Sequence, residues 1–219
     1  MFNVPDSRRG RLNYIYLNIS LLNIKHHMKS FAKSAFAGIG FASIMALADK
    51  VLLPPPDGAT GDDFAVILIH GASCDPEAYT ALATEAQNQM KEAGKRLWVG
   101  IPQFILDTPE PILIDHYFES MLDDLQSAGF TGDNVFISGH SLGGVMGQKY
   151  AKGKSDTIKG QILLGSVLLR DYRSIQDDGK SHFDYDVPTL TIGGTKDGMM
   201  RVTRLAEAYW HQYDNIDDS

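Results

Sequence analysis

Gly139-His140-Ser141-Leu142-Gly143-Gly144 follows directly on the apolar run Asn134-Val135-Phe136-Ile137-Ser138 and precedes Val145, Met146, Gln148, Tyr150 and Ala151. The run reads as a buried strand and the segment after it as a helix. A serine wedged between them, with a glycine two places to either side, demands a strained turn that lifts its hydroxyl clear of the sheet. Any side chain at Gly139 or Gly143 would collide with the neighbouring strand or helix, so the pattern constrains the backbone as well as the chemistry. The N–H of Leu142 then opens the helix, where unpaired amides and the helix dipole favour an oxyanion. The spacing predicts a nucleophile elbow, with Ser141 at its tip and Gly139, His140 and Gly143 shaping it. A glycine-rich turn that merely packs closely is the competing explanation.

Strand and helix alternate over the rest of the chain. Strands are expected at 65–69, 97–101, 134–138, 161–166 and 187–193. Between the first two, Asp75-Pro76 makes a helix start of N-cap followed by proline. Tyr79, Leu82, Ala83, Ala86 and Met90 then recur at helical spacing, and Gly94 ends the helix. Before the third strand, Ile114, Phe118, Met121, Leu122 and Leu125 share one face of a helix that Gly129 stops. Such alternation implies a parallel sheet with right-handed crossovers.

Ala65-Val66-Ile67-Leu68-Ile69 runs into His70-Gly71-Ala72-Ser73, and about seventy residues later the next marked strand runs into Gly-His-Ser-Leu-Gly-Gly. In these two motifs the chain resembles the α/β-hydrolase superfamily, in its serine esterase, lipase and chlorophyllase-like branches, from about Phe64 to Gln212. The resemblance implies a shortened three-layer α/β sandwich. Its mostly parallel sheet has about five strands, ordered 2-1-3-4-5 as they occur here, with the site at the topological switch point. It further implies that the N–H of Ala72 joins that of Leu142 in an oxyanion hole, while His70 shapes the loop. Asp197, after the strand Val187–Gly193, matches the acid that orients a histidine. On the residues alone, Asp197 equally fits a cap for a helix starting near Met199.

The resemblance also calls for a histidine after the acid, and no convincing base is found. Only His211 follows Asp197, fourteen residues along a helical run, which is roughly 20 Å. His182 lies in the connection entering the last strand, and His116 belongs to the helix spanning 111–128. The domain is therefore expected to be an incomplete version of the fold at its carboxyl end, or else to use an unconventional base. The activity that follows is hydrolysis of carboxylic esters, including lipid-like ones, by a serine nucleophile. The alternative is a weak or inactive binding protein of the same fold. The residues do not choose among ester, thioester and amide.

Met28-Lys29-Ser30-Phe31-Ala32-Lys33 is a short basic start, Ser34 to Leu47 is apolar, and Ala46-Leu47-Ala48 fits small-x-small cleavage. Residues 28–48 thus read as a secretory signal peptide, and the chain as a secreted protein whose mature part has no membrane span. Residues 1–27 form a leader to which no role is assigned, and 49–219 form one hydrolase domain. Residues 1–48 hold six of the twenty basic and one of the twenty-seven acidic residues, leaving 14 against 26 and a net charge of −12. That balance argues against nucleic acid or an anionic membrane as partner and leaves a small-molecule or lipid-like ester. Cys74 is the single cysteine, so no internal disulfide can form. No metal-ligand spacing or phosphate-binding loop occurs, and no cofactor is expected.

Overall fold

A computed structural model describes residues 50–175 and 181–213 of the protein. Its main sheet has six strands: β1 (Val51–Leu53), β2 (Asp63–Ile69), β3 (Arg96–Ile101), β4 (Asn134–His140), β5 (Ile158–Leu164) and β8 (Thr189–Ile192), in the order β1-β3-β2-β4-β5-β8. All neighbours pair parallel except β1, which runs antiparallel to β3 with Val51 opposite Ile101. The five expected strands and their order are present, so the mostly parallel α/β sandwich holds. The addition is β1 at the edge. Three residues suffice for it because an antiparallel edge strand needs only one neighbour, and Pro54-Pro55-Pro56 then ends the pairing.

Helices cover both faces. On one side α1 (Thr80–Glu92), entered through a single 3₁₀ turn at Pro76–Tyr79, packs over Val51, Leu68, Leu97, Val99 and Ile101. On the other, α2 (Ile114–Ser127) and α3 (Leu142–Ala151) bury Ile114, Phe118, Met121, Leu125, Met146 and Tyr150 against Ala65, Ile67, Ile69 and Ile137. Alternate residues of β2 thus face opposite layers, which is why that strand reads as a continuous apolar run rather than an alternating one. Asp75 caps the first of these helical segments, its Oδ1 accepting from Glu77 N–H at 2.9 Å. Gly94 and Gly129 leave α1 and α2 with φ of 69° and 118°.

One face is corrected. Among the helical positions read as apolar, Leu82 is exposed, and the buried polar residue on α1 is Gln87. Its amide nitrogen lies 2.9–3.0 Å from the carbonyls of Leu53, Pro54 and Leu97. The helix crosses the edge where β1 ends, and the carbonyls freed there need donors that an apolar side chain would not supply. Between β5 and β8 the chain makes a two-stranded ribbon of β6 (Arg173–Ile175) and β7 (Ser181–Phe183) before α4 (Val202–Tyr213) closes the described fold.

Candidate active site

The sheet reverses direction of winding at β2: the chain steps to β3 on one side, then returns to place β4 on the other. Ile69 pairs with Gly139, so the segments leaving β2 and β4 emerge side by side at the carboxyl edge. Ser141 stands at the turn from β4 into α3 with φ 51° and ψ −118°, a conformation that a non-glycine residue adopts only when its surroundings impose it. The imposition is visible. Ser141 N–H donates to Leu164 O at 3.0 Å, and its carbonyl accepts from Gly144 and Val145. A methyl group on Gly139 would lie 2.5 Å from the backbone N and Cα of Gly144. One on Gly143 would overlap the carbonyls of Ile69 and His70. The first turn of α3 is therefore seated directly on the end of β2.

That contact sets the loop after β2 beside the N-terminus of α3. Within the loop Ser73 has φ 57°, donates its N–H to Asp107 O at 2.7 Å, and is followed by a tight turn in which Cys74 N–H donates to Gly71 O. Ala72 is exposed and Leu142 half-buried. Neither backbone N–H has a protein acceptor among the described residues. Two unpaired donors thus flank the half-buried Ser141.

Asp197 follows β8 across the same edge. Its Oδ1 accepts from the N–H groups of both Met199 and Met200 at 2.9 Å, so it caps the turn ahead of α4, which begins at Val202 rather than near Met199. Its Oδ2 lies 3.2 Å from where a methyl group on Gly165 would sit, and His140 Nε2 lies 3.8 Å from that same point. The carboxylate and the elbow imidazole share the space beside Gly165.

The histidines take distinct places. His70 is fully buried, its Nδ1 2.9 Å from Gly71 O, its ring edge-on to Phe104, and its Nε2 without a partner. Burial pushes its pKa down, against the pull of Asp107 and Asp75. His140 is also driven toward the neutral form by burial, with Asp197 opposing. His116 is exposed on α2, its ring near Tyr117. His182 falls in β7, and Asp184 just after that strand pairs at 2.8 Å with Lys152, just past the far end of α3 from Ser141. The side chains of His182 and His211 lie outside the described residues, as do residues 1–49, on which the expected leader and signal peptide fall. No described histidine side chain bonds to Ser141.

Two site-supporting residues escaped the sequence pattern. Tyr79 reads as one more apolar helical position, yet its hydroxyl bonds both Gly71 N and His140 Nδ1. Gln148 is fully buried in α3; its Nε2 donates to Gly144 O and Val167 O, and its Oε1 accepts from Leu169 N–H. A glutamine amid glycines and apolar residues of a buried helix was the one available signal. Among the described residues no cluster of histidine, cysteine and carboxylate side chains is disposed to hold a metal.

A model of the alpha/beta hydrolase family matches residues 65–213. The chain belongs to that family. Est1E from Butyrivibrio proteoclasticus is similar in structure, at 16% identity and a TM-score of 0.51, covering 74% of this chain and 79% of that one. A protein described as a predicted CIB-like hydrolase from Thermoplasma acidophilum is similar at 18% identity and a TM-score of 0.50, covering 75% and 77%. At these identities the likeness is one of fold. A comparison with curated protein sequences finds no match.

Proposed function

We propose that the protein is a serine hydrolase acting on carboxylic esters, with Ser141 as nucleophile. The observation that carries the reading is the left-handed backbone of Ser141, locked between Leu164 and the glycines of α3 beside two unpaired amides. In the reaction Ser141 Oγ adds to the ester carbonyl carbon, its proton passing through solvent to the alcohol oxygen as that leaves, and the carbonyl oxygen becomes an anion that accepts from the N–H groups of Leu142 and Ala72. Collapse expels the alcohol and leaves an acyl-serine, which water then hydrolyses. Asp197 is the acid of this reading, its Oδ2 being the oxygen not engaged by the turn at Met199 and Met200.

Ile105, Leu106 and Met199 are exposed on segments that follow β3 and β8, the same edge as Ser141. They support an apolar acyl group, as in small or lipid-like esters. Among the described residues no helix is long and apolar enough to cross a membrane. The secretory reading of residues 28–48 predicts a secreted species beginning at Asp49, which N-terminal sequencing of the exported protein checks.

One observation favours a second reading, a protein of this fold with little or no turnover. Ser141 Oγ has no hydrogen-bond partner among the described residues. Without a base, the oxyanion donors and binding leave about 10³–10⁴-fold over water. Hydrolysis of a p-nitrophenyl acyl ester, compared with Ser141→Ala, separates the two. Ser141-dependent turnover well above that residual supports the enzyme, and the residual alone supports the second reading. Hydrolysis unchanged by Ser141→Ala refutes the nucleophile.

A further inference from the structure

The imidazole of His140 has a hydrogen-bond partner at Nδ1 and a carboxylate in the neighbourhood of its opposite edge. Tyr79 Oη stands 2.8 Å from Nδ1, with the two rings 5.8 Å apart. On the other side, the Cδ2–Nε2 edge of the ring borders the space beside Gly165, at 3.7 and 3.8 Å from where a methyl group on that glycine would sit, and Asp197 Oδ2 borders the same space at 3.2 Å. Tyr79 Oη also accepts from Gly71 N–H at 3.0 Å, and a methyl group on Gly71 would lie 2.7 Å from His140 Nδ1. A phenol carries one proton, and its oxygen already receives one from Gly71. That proton can serve Nδ1 only if the imidazole carries its own hydrogen on Nε2. The negative charge of Asp197, which shares the space beside Gly165 with the Cδ2–Nε2 edge of the ring, favours a hydrogen on that edge. Cys74, the other polar neighbour of Gly71, directs its thiol to Ala72 O at 3.5 Å and is also a neighbour of the Tyr79 hydroxyl, where its sulfur is a weaker acceptor than the imidazole nitrogen.

Gly71 immediately precedes Ala72, and His140 immediately precedes Ser141. One hydroxyl therefore joins the loop that supplies one oxyanion donor to the elbow that supplies the nucleophile and, at Leu142, the other donor. Resting on the serine-hydrolase reading, we propose that Tyr79 is a positioning residue: through Gly71 N–H and the Nε2–H tautomer of His140 it fixes the separation between the Ala72 and Leu142 amides. Burial keeps both partners in the required states, pushing the Tyr79 phenol up and the His140 imidazole down. Tyr79 itself touches no reacting atom. Its removal leaves each amide in place and lets the loop drift relative to the elbow. A misplacement of this kind lowers the rate of forming a tetrahedral adduct without abolishing it.

The test uses the full chain and a fluorophosphonate probe, whose phosphonyl oxygen occupies the position of the oxyanion. Labelling is followed by intact mass at about pH 9, where solvent base can accept the serine proton. Wild type is expected to label at Ser141, and Tyr79→Phe to label about tenfold more slowly. Tyr185→Phe is the control, since its hydroxyl also bonds two buried partners, Gln148 O and Gln161 Oε1, but lies away from the elbow. It is expected to lose comparable thermal stability with less than about a twofold change in labelling.

In the wild type, nitrogen-15 NMR of labelled histidine should show His140 neutral with its hydrogen on Nε2, a readout independent of any variant folding. Wild-type labelling rates in Tyr79→Phe, or a hydrogen on His140 Nδ1, overturn the positioning role alone. Labelling absent from the wild type, or undiminished in Ser141→Ala, overturns the serine-hydrolase reading and this inference with it.

Discussion

Adding a single methyl group at Gly139 should separate a strained elbow from a merely flexible one. The new carbon would stand 2.5 Å from the backbone N and Cα of Gly144 and 2.6 Å from Gly143 C. Comfortable carbon contacts begin near 3.5 Å, so strand and helix must part by about 1 Å. Both sides of the contact are backbone, and no rotamer can relieve it. Overpacking of this kind costs about 3 kcal/mol. For a domain of this size that lowers the melting temperature by about 6–12 °C. The matched comparison is Gly147→Ala, inside α3 one turn beyond Gly143. There the methyl group meets the tip of Ile137, Cδ1 at 3.1 Å, a side chain that can yield by a few tenths of an ångström. Replacing a mid-helix glycine gains about 0.5–1 kcal/mol, so this variant should fall within about 1 kcal/mol of wild type. Thermal and urea unfolding followed by circular dichroism measure both. If Gly139→Ala proves as stable as Gly147→Ala, the close seating of α3 on β4 is wrong, and so is the account of why Ser141 takes its backbone conformation.

Three further outcomes are expected. Gln148→Met should cost about 2–4 kcal/mol by urea unfolding, because it takes the side-chain donor from the buried Gly144 carbonyl and strands the partly buried Leu169 N–H and Val167 carbonyl. Gln87→Leu should raise amide hydrogen exchange across Val51–Leu53 while leaving β4 and β5 protected, since that side chain ties the end of β1 to α1. Acidification should destabilise the fold from about pH 6.5 downward. The buried His70 and the half-buried His140 hold their protons less tightly folded than unfolded, so their contribution is complete above the ordinary histidine value and is lost as pH falls through the folded values. For His70 the slope is at most about 1.4 kcal/mol per pH unit. A urea midpoint that rises between pH 7.5 and 5.5 would contradict this.

Local order was legible because local chemistry enforces it. Apolar runs bounded by glycine and proline marked five strands, and helical spacing with Asp75, Gly94 and Gly129 marked where α1 and α2 begin and end. The glycine pattern around Ser141 announced the elbow because only an absent side chain lets α3 sit on β2 and β4, a requirement written in residue type alone. Three residues of β1 carry too little periodicity to register, and they become a strand only when the exposed edge of β3 accepts them. Gln87, Gln148 and Tyr79 look like exceptions to an apolar pattern. Their partners lie ten, nineteen and sixty-one residues away, and their purpose appears only when the fold brings unpaired carbonyls and amides to them. For Asp197 the sequence could offer both a cap and an acid. The tertiary structure shows one carboxylate oxygen capping the turn before α4 and leaves the other beside Gly165, in a space that the His140 ring also borders, because the fold brings together residues remote in the chain.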